Sequence, residues 1–238
     1  MMSIDADTVH LWTDQFVPGA ESGYLSVLNP AEQARMQRFI KVRDRLRYIW
    51  ARGKLRYLLA AYVGEAAAAV QFQYETRGKP YLAEHPVQFN ISHSGDWLVI
   101  AVVRDRAIGV DIEQIQATKS WLALAERFFR QSESQALKAL PPHEQTTAFF
   151  KLWTRKEAFL KATGQGLQGL PNLELAVHQS HQSVTNGQGQ WEIRDLDHIP
   201  NYAGAVSLQI PGQRKTIPPP TQIILRQLPT VIQKQCQP

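Results

Sequence analysis

Cysteine is almost missing from this chain: Cys236 is the only one in 238 residues. That excludes an internal disulfide framework and a cysteine-based zinc site, and it points to a reducing compartment. Long apolar runs are missing too. The longest strongly apolar stretch, Leu98–Val103, has six residues, against the roughly 20 a spanning helix needs. The opening MMSIDADTVH has neither the basic nor the apolar block of a secretory signal. A cytoplasmic protein with no membrane partner is therefore expected. With 44% hydrophobic and 20% charged residues, the chain falls in the ordinary globular range.

Acidic residues are scarce in one place. Arg35–Arg56 holds seven Arg and two Lys against a single acid, Asp44, so these 22 residues carry +8 of a chain whose total is +5. The remainder is mildly acidic, at −3. A basic segment interleaved with Phe39, Tyr48, Trp50 and Tyr57 suits a nucleic acid or a phosphorylated small molecule. Composition alone does not choose between them.

Apolar periodicity predicts strands at Val9–Trp12, Tyr24–Leu28, Val70–Tyr74, Val87–Ile91, Trp97–Val103 and Ile108–Glu113. Asn29-Pro30 opens a helical pattern that runs to about Tyr62, with a break expected near Gly53. Further helices are expected at about Ser120–Phe129, Ser132–Leu140 and His143–Thr163, then strands near Leu173–His178, Trp191–Leu196 and Ala203–Ile210. Each half thus reads as helices followed by about three strands. Ile91-Ser-His-Ser-Gly95 and Pro200-Asn-Tyr-Ala-Gly204 are faintly alike, which hints at a duplicated α+β lobe. The expected divisions are residues 1–105, 106–212 and a Pro- and Gln-rich tail, 213–238, poorly ordered apart from one short strand.

Three segments carry chemistry. Period-two geometry puts Gly109, Asp111 and Glu113 on one strand face, with the carboxylates roughly 6.5–7 Å apart. Two like charges so placed repel, and a hard divalent cation such as Mg²⁺ would reward them. On the helix Phe149–Lys161, Lys156 falls inside an apolar arc, while Glu157 and Lys161 lie together at its edge, four residues apart. A lysine among apolar side chains snorkels or meets an anion. Third, Phe89-Asn-Ile-Ser-His-Ser-Gly95 runs a strand into a turn rich in hydroxyls, and Gly78-Lys79-Pro80 is a rigid turn presenting a cation. Together these read as a Mg²⁺-dependent enzyme or binder acting on a phosphorylated ligand. A nucleotide- or coenzyme A-binding hydrolase stays open on the same residues.

The order Gly78-Lys79-Pro80, Phe89-Asn-Ile-Ser-His93, Gly109-Val-Asp-Ile-Glu113, Phe128-Phe129 with Glu133, and Trp153-Thr-Arg-Lys-Glu-Ala-Phe-Leu-Lys161 closely resembles the 4′-phosphopantetheinyl transferases. More narrowly it resembles the larger, surfactin-synthetase-activating class. The resemblance spans Asn29 to Leu170. It implies a monomer of two similar α+β lobes related by a pseudo-twofold axis, each a small, mostly antiparallel sheet packed with helices, with the active site between them. It also implies transfer of phosphopantetheine from coenzyme A to a serine of an acidic acyl or peptidyl carrier protein, leaving adenosine 3′,5′-bisphosphate. On that resemblance Asp111, Glu113 and Glu157 hold Mg²⁺, with Mn²⁺ as the alternative, and Glu157 is also the base for the carrier serine. Lys156 and Lys161 lie near the pyrophosphate, Ser92 and His93 bind coenzyme A phosphates, and Gly78, Lys79 and Pro80 line its adenine end. Arg47, together with Arg35, contacts coenzyme A. Glu32 and Tyr48 depart from the residues of some relatives at the phosphate corner, which shifts that task toward Arg43 or Arg52.

Overall fold

Asn29 starts the first α-helix. Its side chain accepts the N–H of Glu32 (2.9 Å), the Glu32 carboxylate accepts the N–H of Asn29 (3.0 Å), and Pro30 supplies a preset φ. Local signals of this kind organise the computed structural model, which describes residues 1–83, 85–116, 121–211 and 222–228. In chain order the elements are β1 (Thr8–Gln15), a 3-10 turn (Leu25–Val27), α1 (Pro30–Gln37), α2 (Val42–Val63), β2 (Gln73–Tyr74), β3 (Pro80–Tyr81), β4 (Val87–Ser94) and β5 (Trp97–Arg104). There follow β6 (Ile108–Gln114), α3 (Trp121–Phe128), α4 (Gln131–Ala139), α5 (Pro142–Thr163), a 3-10 segment (Leu167–Asn172), β7 (His181–Asn186), β8 (Gly189–Asp195), β9 (Tyr202–Ile210) and β10 (Gln222–Gln227).

Two four-stranded sheets result, ordered β10-β1-β5-β4 and β6-β9-β8-β7, beside a small β2–β3 ribbon. All pairings are antiparallel except β1 with β10. Strand alternation sorts the core into layers. Leu98, Ile100 and Val102 of β5 pack with Leu55, Leu58 and Leu59 of α2. The intervening Val99, Ala101 and Val103 join Val9 and Leu11 against Ile108, Val110 and Ile112 of β6. On the outer side of the second sheet, Trp191 and Ile193 pack with Phe149, Leu152 and Phe159 of α5. The molecule is thus helix, sheet, sheet, helix.

The two halves repeat one plan. In each, a strand precedes a 22-residue helix, and a later hairpin pairs its second strand with that first strand: β1, α2, β4, β5 and β6, α5, β8, β9. Both long helices end on a left-handed glycine, Gly64 (φ 78°) and Gly164 (φ 69°). Both also bury a cation in the same manner. Arg56 meets Glu32 (2.7 Å) and donates to the carbonyls of Ala67 (3.1 Å) and Val70 (2.9 Å). Lys156 meets Glu133 (2.8 Å) and donates to the carbonyls of Leu170 and Leu173. Glu32 and Glu133 each also accept the N–H at the cap of a short helix, from Asn29 and Arg130.

That arrangement corrects the reading of Lys156. It lies within the apolar arc, as its helical position requires, but it is fully buried, and its ammonium is held by Glu133 rather than presented to the site. Other expectations change as well. Tyr24–Leu28 forms a 3-10 turn, because Tyr24 packs onto Gly53 so closely that a Cβ there would stand 2.3 Å from its own. Gly53 therefore serves a close approach inside an unbroken α2, and the helical break falls at residues 38–41. Val70–Tyr74 contributes only its last two residues as strand, and Leu173–His178 is not a strand. β7 was not foreseen: HQSVTN has one apolar residue, Val184, and no alternating apolar pattern. The strand expected in the tail is β10, which extends the first sheet. Ser120, Cys236 and most of residues 213–238 lie outside the described residues.

Replacing Lys156 by Met would leave Glu133 charged and buried, so urea unfolding should show a loss of roughly 3–5 kcal/mol. Adding Glu133→Gln should recover part of it. A Lys156→Met protein as stable as the parent but inactive would return this residue to the site.

Candidate active site

The site begins where two sheet edges meet without joining. β4 and β6 lie side by side, and alternate side chains of β4 take the place of ladder carbonyls. The N–H groups of Val110, Ile112 and Gln114 donate to Asn90 Oδ1 (2.9 Å), Ser92 Oγ (3.4 Å) and Ser94 Oγ (3.1 Å). Period two explains both the Asn-Ile-Ser-His-Ser alternation and its result. The same hydroxyls donate to the acids of β6, Ser92 to Asp111 (2.8 Å) and Ser94 to Glu113 (2.7 Å). Both carboxylates are thereby aimed into the groove between the sheets.

Gly109 completes the site from below. A Cβ there would stand 2.1 Å from the Ala158 carbonyl and 2.4 Å from the Ala162 nitrogen, both in α5 backbone. Only glycine lets α5 come this near β6, and this approach carries Glu157 and Lys161 over the acids. Lys161 Nζ reaches Asp111 Oδ1 (2.7 Å), Ser92 Oγ (3.1 Å) and the Val110 carbonyl (3.3 Å). Asp111 Oδ2 is buried without a hydrogen-bond donor. Burial pushes the Glu157 carboxyl up to about 7, helped by the Asp111 and Glu113 charges and opposed by Lys161. Glu113 is raised for the same first reason, against the Ser94 hydrogen bond.

On the α2 side of β4, His93 reaches solvent at one edge. The packed protein around it, then the Lys161 and Arg47 cations, hold its imidazole below the ordinary value, so it is neutral at neutral pH. Arg47 is bound to Asp96 (2.6 Å) in the β4–β5 turn, and Arg43 shares the same carboxylate (2.8 Å). In that turn Gly95 (φ 56°) leaves room for the Tyr202 hydroxyl from the other sheet, 2.4 Å from where a Cβ would stand. On the far side, Glu75 and Lys79 close a turn in which Gly78 takes φ 84°. Lys79 Nζ donates to the Ile108 carbonyl (3.0 Å), and burial lowers its pKa. Gly78, Lys79 and Pro80 line a cavity of about 270 Å³ together with Glu157, Lys161 and Arg77.

The structure thus gathers Asp111, Glu113, Glu157, Lys161, Ser92, Gly78, Lys79 and Pro80 around one groove, with His93 and Arg47 on its α2 side. It leaves Lys156 in the core. Arg35 lines a second cavity, of about 480 Å³, with Arg38, Tyr48 and Tyr74. Arg43 and Arg52 are each committed to a carboxylate, Asp96 and Glu32 respectively. Asn90 and Ser94, inside the segment Phe89–Gly95, were not given a role of their own in the sequence, and neither was Asp96. The first two could have been, since they share the two-residue period of Ser92.

The donor set suits a hard divalent cation: three oxygen-only acids, one with an orphaned buried oxygen. As they lie, no three His, Cys, Asp or Glu side chains among the described residues converge to metal-ligating distance. Asp111 Oδ1 is held by Lys161 and Ser92, and Glu113 by Ser94, so loading requires these contacts to be exchanged. No helix among the described residues is long and apolar enough to cross a membrane.

Comparison with known proteins agrees with this geometry. Residues 107–207 match the family model of the 4′-phosphopantetheinyl transferase superfamily, and residues 20–105 match that of the 4′-phosphopantetheinyl transferase N-terminal region. The chain is similar to the 4′-phosphopantetheinyl transferase HetI of a Nostoc species, with 36% identity covering 87% of this chain and 90% of the relative. It is also similar to a 4′-phosphopantetheinyl transferase of Bacillus subtilis, at 35% identity over 79% of this chain and 85% of the relative. The Bacillus subtilis transferase Sfp is 31% identical, over 82% and 83% respectively. Groove, acids and likeness lead to one conclusion: the chain belongs to the 4′-phosphopantetheinyl transferase superfamily.

Proposed function

We propose that this protein transfers the 4′-phosphopantetheine group of coenzyme A to a serine of an apo acyl or peptidyl carrier protein, releasing adenosine 3′,5′-bisphosphate. The observation that carries the reading is the placing of Lys161 and three acids in one groove, beside the Gly78–Pro80 cavity. Asp111, Glu113 and Glu157 would hold Mg²⁺, or Mn²⁺, which when bound supplies positive charge to the pyrophosphate oxygens. Lys161 adds a cation on the same side, so charge developing on the departing bisphosphate is met by positive charge already in the groove. The serine Oγ forms the new bond to the phosphorus that carries pantetheine. The bond from that phosphorus to the bridging oxygen breaks, and the electron pair leaves with the adenosine bisphosphate. Glu157, directly or through one water, takes the serine proton. Ser92 and neutral His93 offer hydrogen bonds to phosphate oxygens, and Arg47 and Arg35 add cations on the α2 side. Gly78, Lys79 and Pro80 shape the adenine end. The protein acts as a monomer in the cytoplasm.

Incubation with coenzyme A, Mg²⁺ and apo carrier proteins of several types should add a phosphopantetheine mass to at least one, read by mass spectrometry. Removing Mg²⁺ with a chelator should stop it, and Glu157→Gln should lower turnover by about 10²-fold or more. No mass gain on any carrier would refute the reading.

A second prediction concerns the metal-free protein. The folded-state pKa of Glu157, about 7, lies above its ordinary 4.5. The native state therefore binds more protons in that window, and stability falls as pH rises through it. Glu157→Gln should melt at a higher temperature than the parent at about pH 8, and the difference should close as pH drops below the ordinary carboxylate value. Equal melting temperatures at the higher pH would contradict the crowding of charge.

A further inference from the structure

The nine cations of Arg35–Arg56 divide into three groups, and the division marks a surface. Arg52 and Arg56 are spent on Glu32, Lys54 on Asp14 (2.7 Å), and Arg43 and Arg47 on Asp96. Arg35 lies over the Tyr48 ring (5.8 Å) and, with Arg38, lines the 480 Å³ cavity. Exposed Lys41 and half-buried Arg45 meet no carboxylate within ion-pair range among the described residues. Lys41 belongs to the elbow between α1 and α2 and Arg45 to the first turn of α2, and the apolar side chains there are inverted. Phe39 turns inward and stacks on Tyr48 (5.2 Å between ring centroids), which pins the elbow. Ile40 is 99% exposed, more than any other large apolar side chain among the described residues, and Val42 beside it is 57% exposed. Neither lines the cavity that Arg35 and Arg38 share.

A phosphate ligand has no use for Ile40. A protein surface does: an apolar knob ringed by cations complements an apolar patch ringed by acids. A second copy of this chain would set Lys41 and Arg45 against their own like charges at a twofold contact. The elbow also stands at the lip of the groove. Arg43 and Arg47 in the first turns of α2 hold Asp96, two residues beyond Ser94, whose hydroxyl holds Glu113. We propose that the α1–α2 elbow, with Ile40 and Val42 at its apex and Lys41 and Arg45 beside them, is the docking surface for an acidic carrier protein. This rests on the transfer reaction proposed above. Cations that coenzyme A would not need thereby gain a task, and the partner's serine would be delivered across the lip toward Glu157.

The test uses the full chain with coenzyme A, Mg²⁺ and apo acyl carrier protein as probe. In the variants Ile40→Ser, Lys41→Glu and the two combined, the KM for carrier protein should rise, by about tenfold or more in the double variant. The KM for coenzyme A and kcat should stay within about twofold, and the fall of kcat/KM with salt should flatten for Lys41→Glu. Thermal melting controls for folding. An unchanged carrier KM overturns the proposal, as does a rise in the coenzyme A KM alone. So does an effect of Ile40→Ser confined to self-association or to binding of anionic lipid vesicles. If the parent protein transfers nothing to any carrier, the reaction itself is refuted and the docking surface with it. A parent that transfers normally while the variants match it refutes the surface alone.

Discussion

Everything at this site hangs on a pair of strands that lie together without backbone pairing. Had β4 and β6 formed an ordinary ladder, the two sheets would have fused and no groove would exist. Asn90, Ser92 and Ser94 instead satisfy the edge amides of β6 with side-chain oxygens, removing the cost of burying those N–H groups while keeping the sheets distinct. Each such bond is worth about 0.5–1.5 kcal/mol net, and the two serines act twice, since they also orient Asp111 and Glu113. Stability and function are therefore coupled in the same atoms. Gly109 adds a steric condition, because α5 reaches the acids only where β6 has no side chain in the way.

The repeated plan separates the residues that tie the frame together from those that face the groove. Arg56 and Lys156 perform one structural task in the two halves, tying a capped short helix to the loop that follows a long one. The next positions differ. After Arg56 comes Tyr57, at the edge of the surface, whereas after Lys156 comes Glu157, which faces the groove. One half carries the frame alone, and the other carries acid and cation on the same helix. Conversely, Ser92 and Ser94 lie on the half that lacks the acids. The groove needs both.

Much of this could be read from residue order. Strand alternation gave Asp111 and Glu113 a common face, helical spacing put Glu157 beside Lys161, and Asn29-Pro30 marked a helix start that the capping contacts bear out. What failed were judgements that depend on a distant partner. The arc on α5 says that Lys156 points inward, but its destination is Glu133, 23 residues away in sequence and on another helix. Gly53 looks like a helix breaker until Tyr24 is seen against it. β7 carries no alternating apolar pattern, and β10 is a strand only because β1 offers an open edge. The basic segment misled in the same way: counted by residue it is one patch, yet five of its cations, Arg43, Arg47, Arg52, Lys54 and Arg56, are held by acids from outside the segment.

On the proposed reaction, the groove at the β4–β6 edges seats a divalent cation and the pyrophosphate of coenzyme A together. A crystal of the protein grown with coenzyme A and Mn²⁺, examined by anomalous scattering, tests it directly. One manganese peak should lie within coordinating distance of carboxylate oxygens from Asp111, Glu113 and Glu157, in contact with the pyrophosphate, and Lys161 should have left Asp111 for a phosphate oxygen. Coenzyme A bound elsewhere, or manganese bound away from these three acids, would contradict the account.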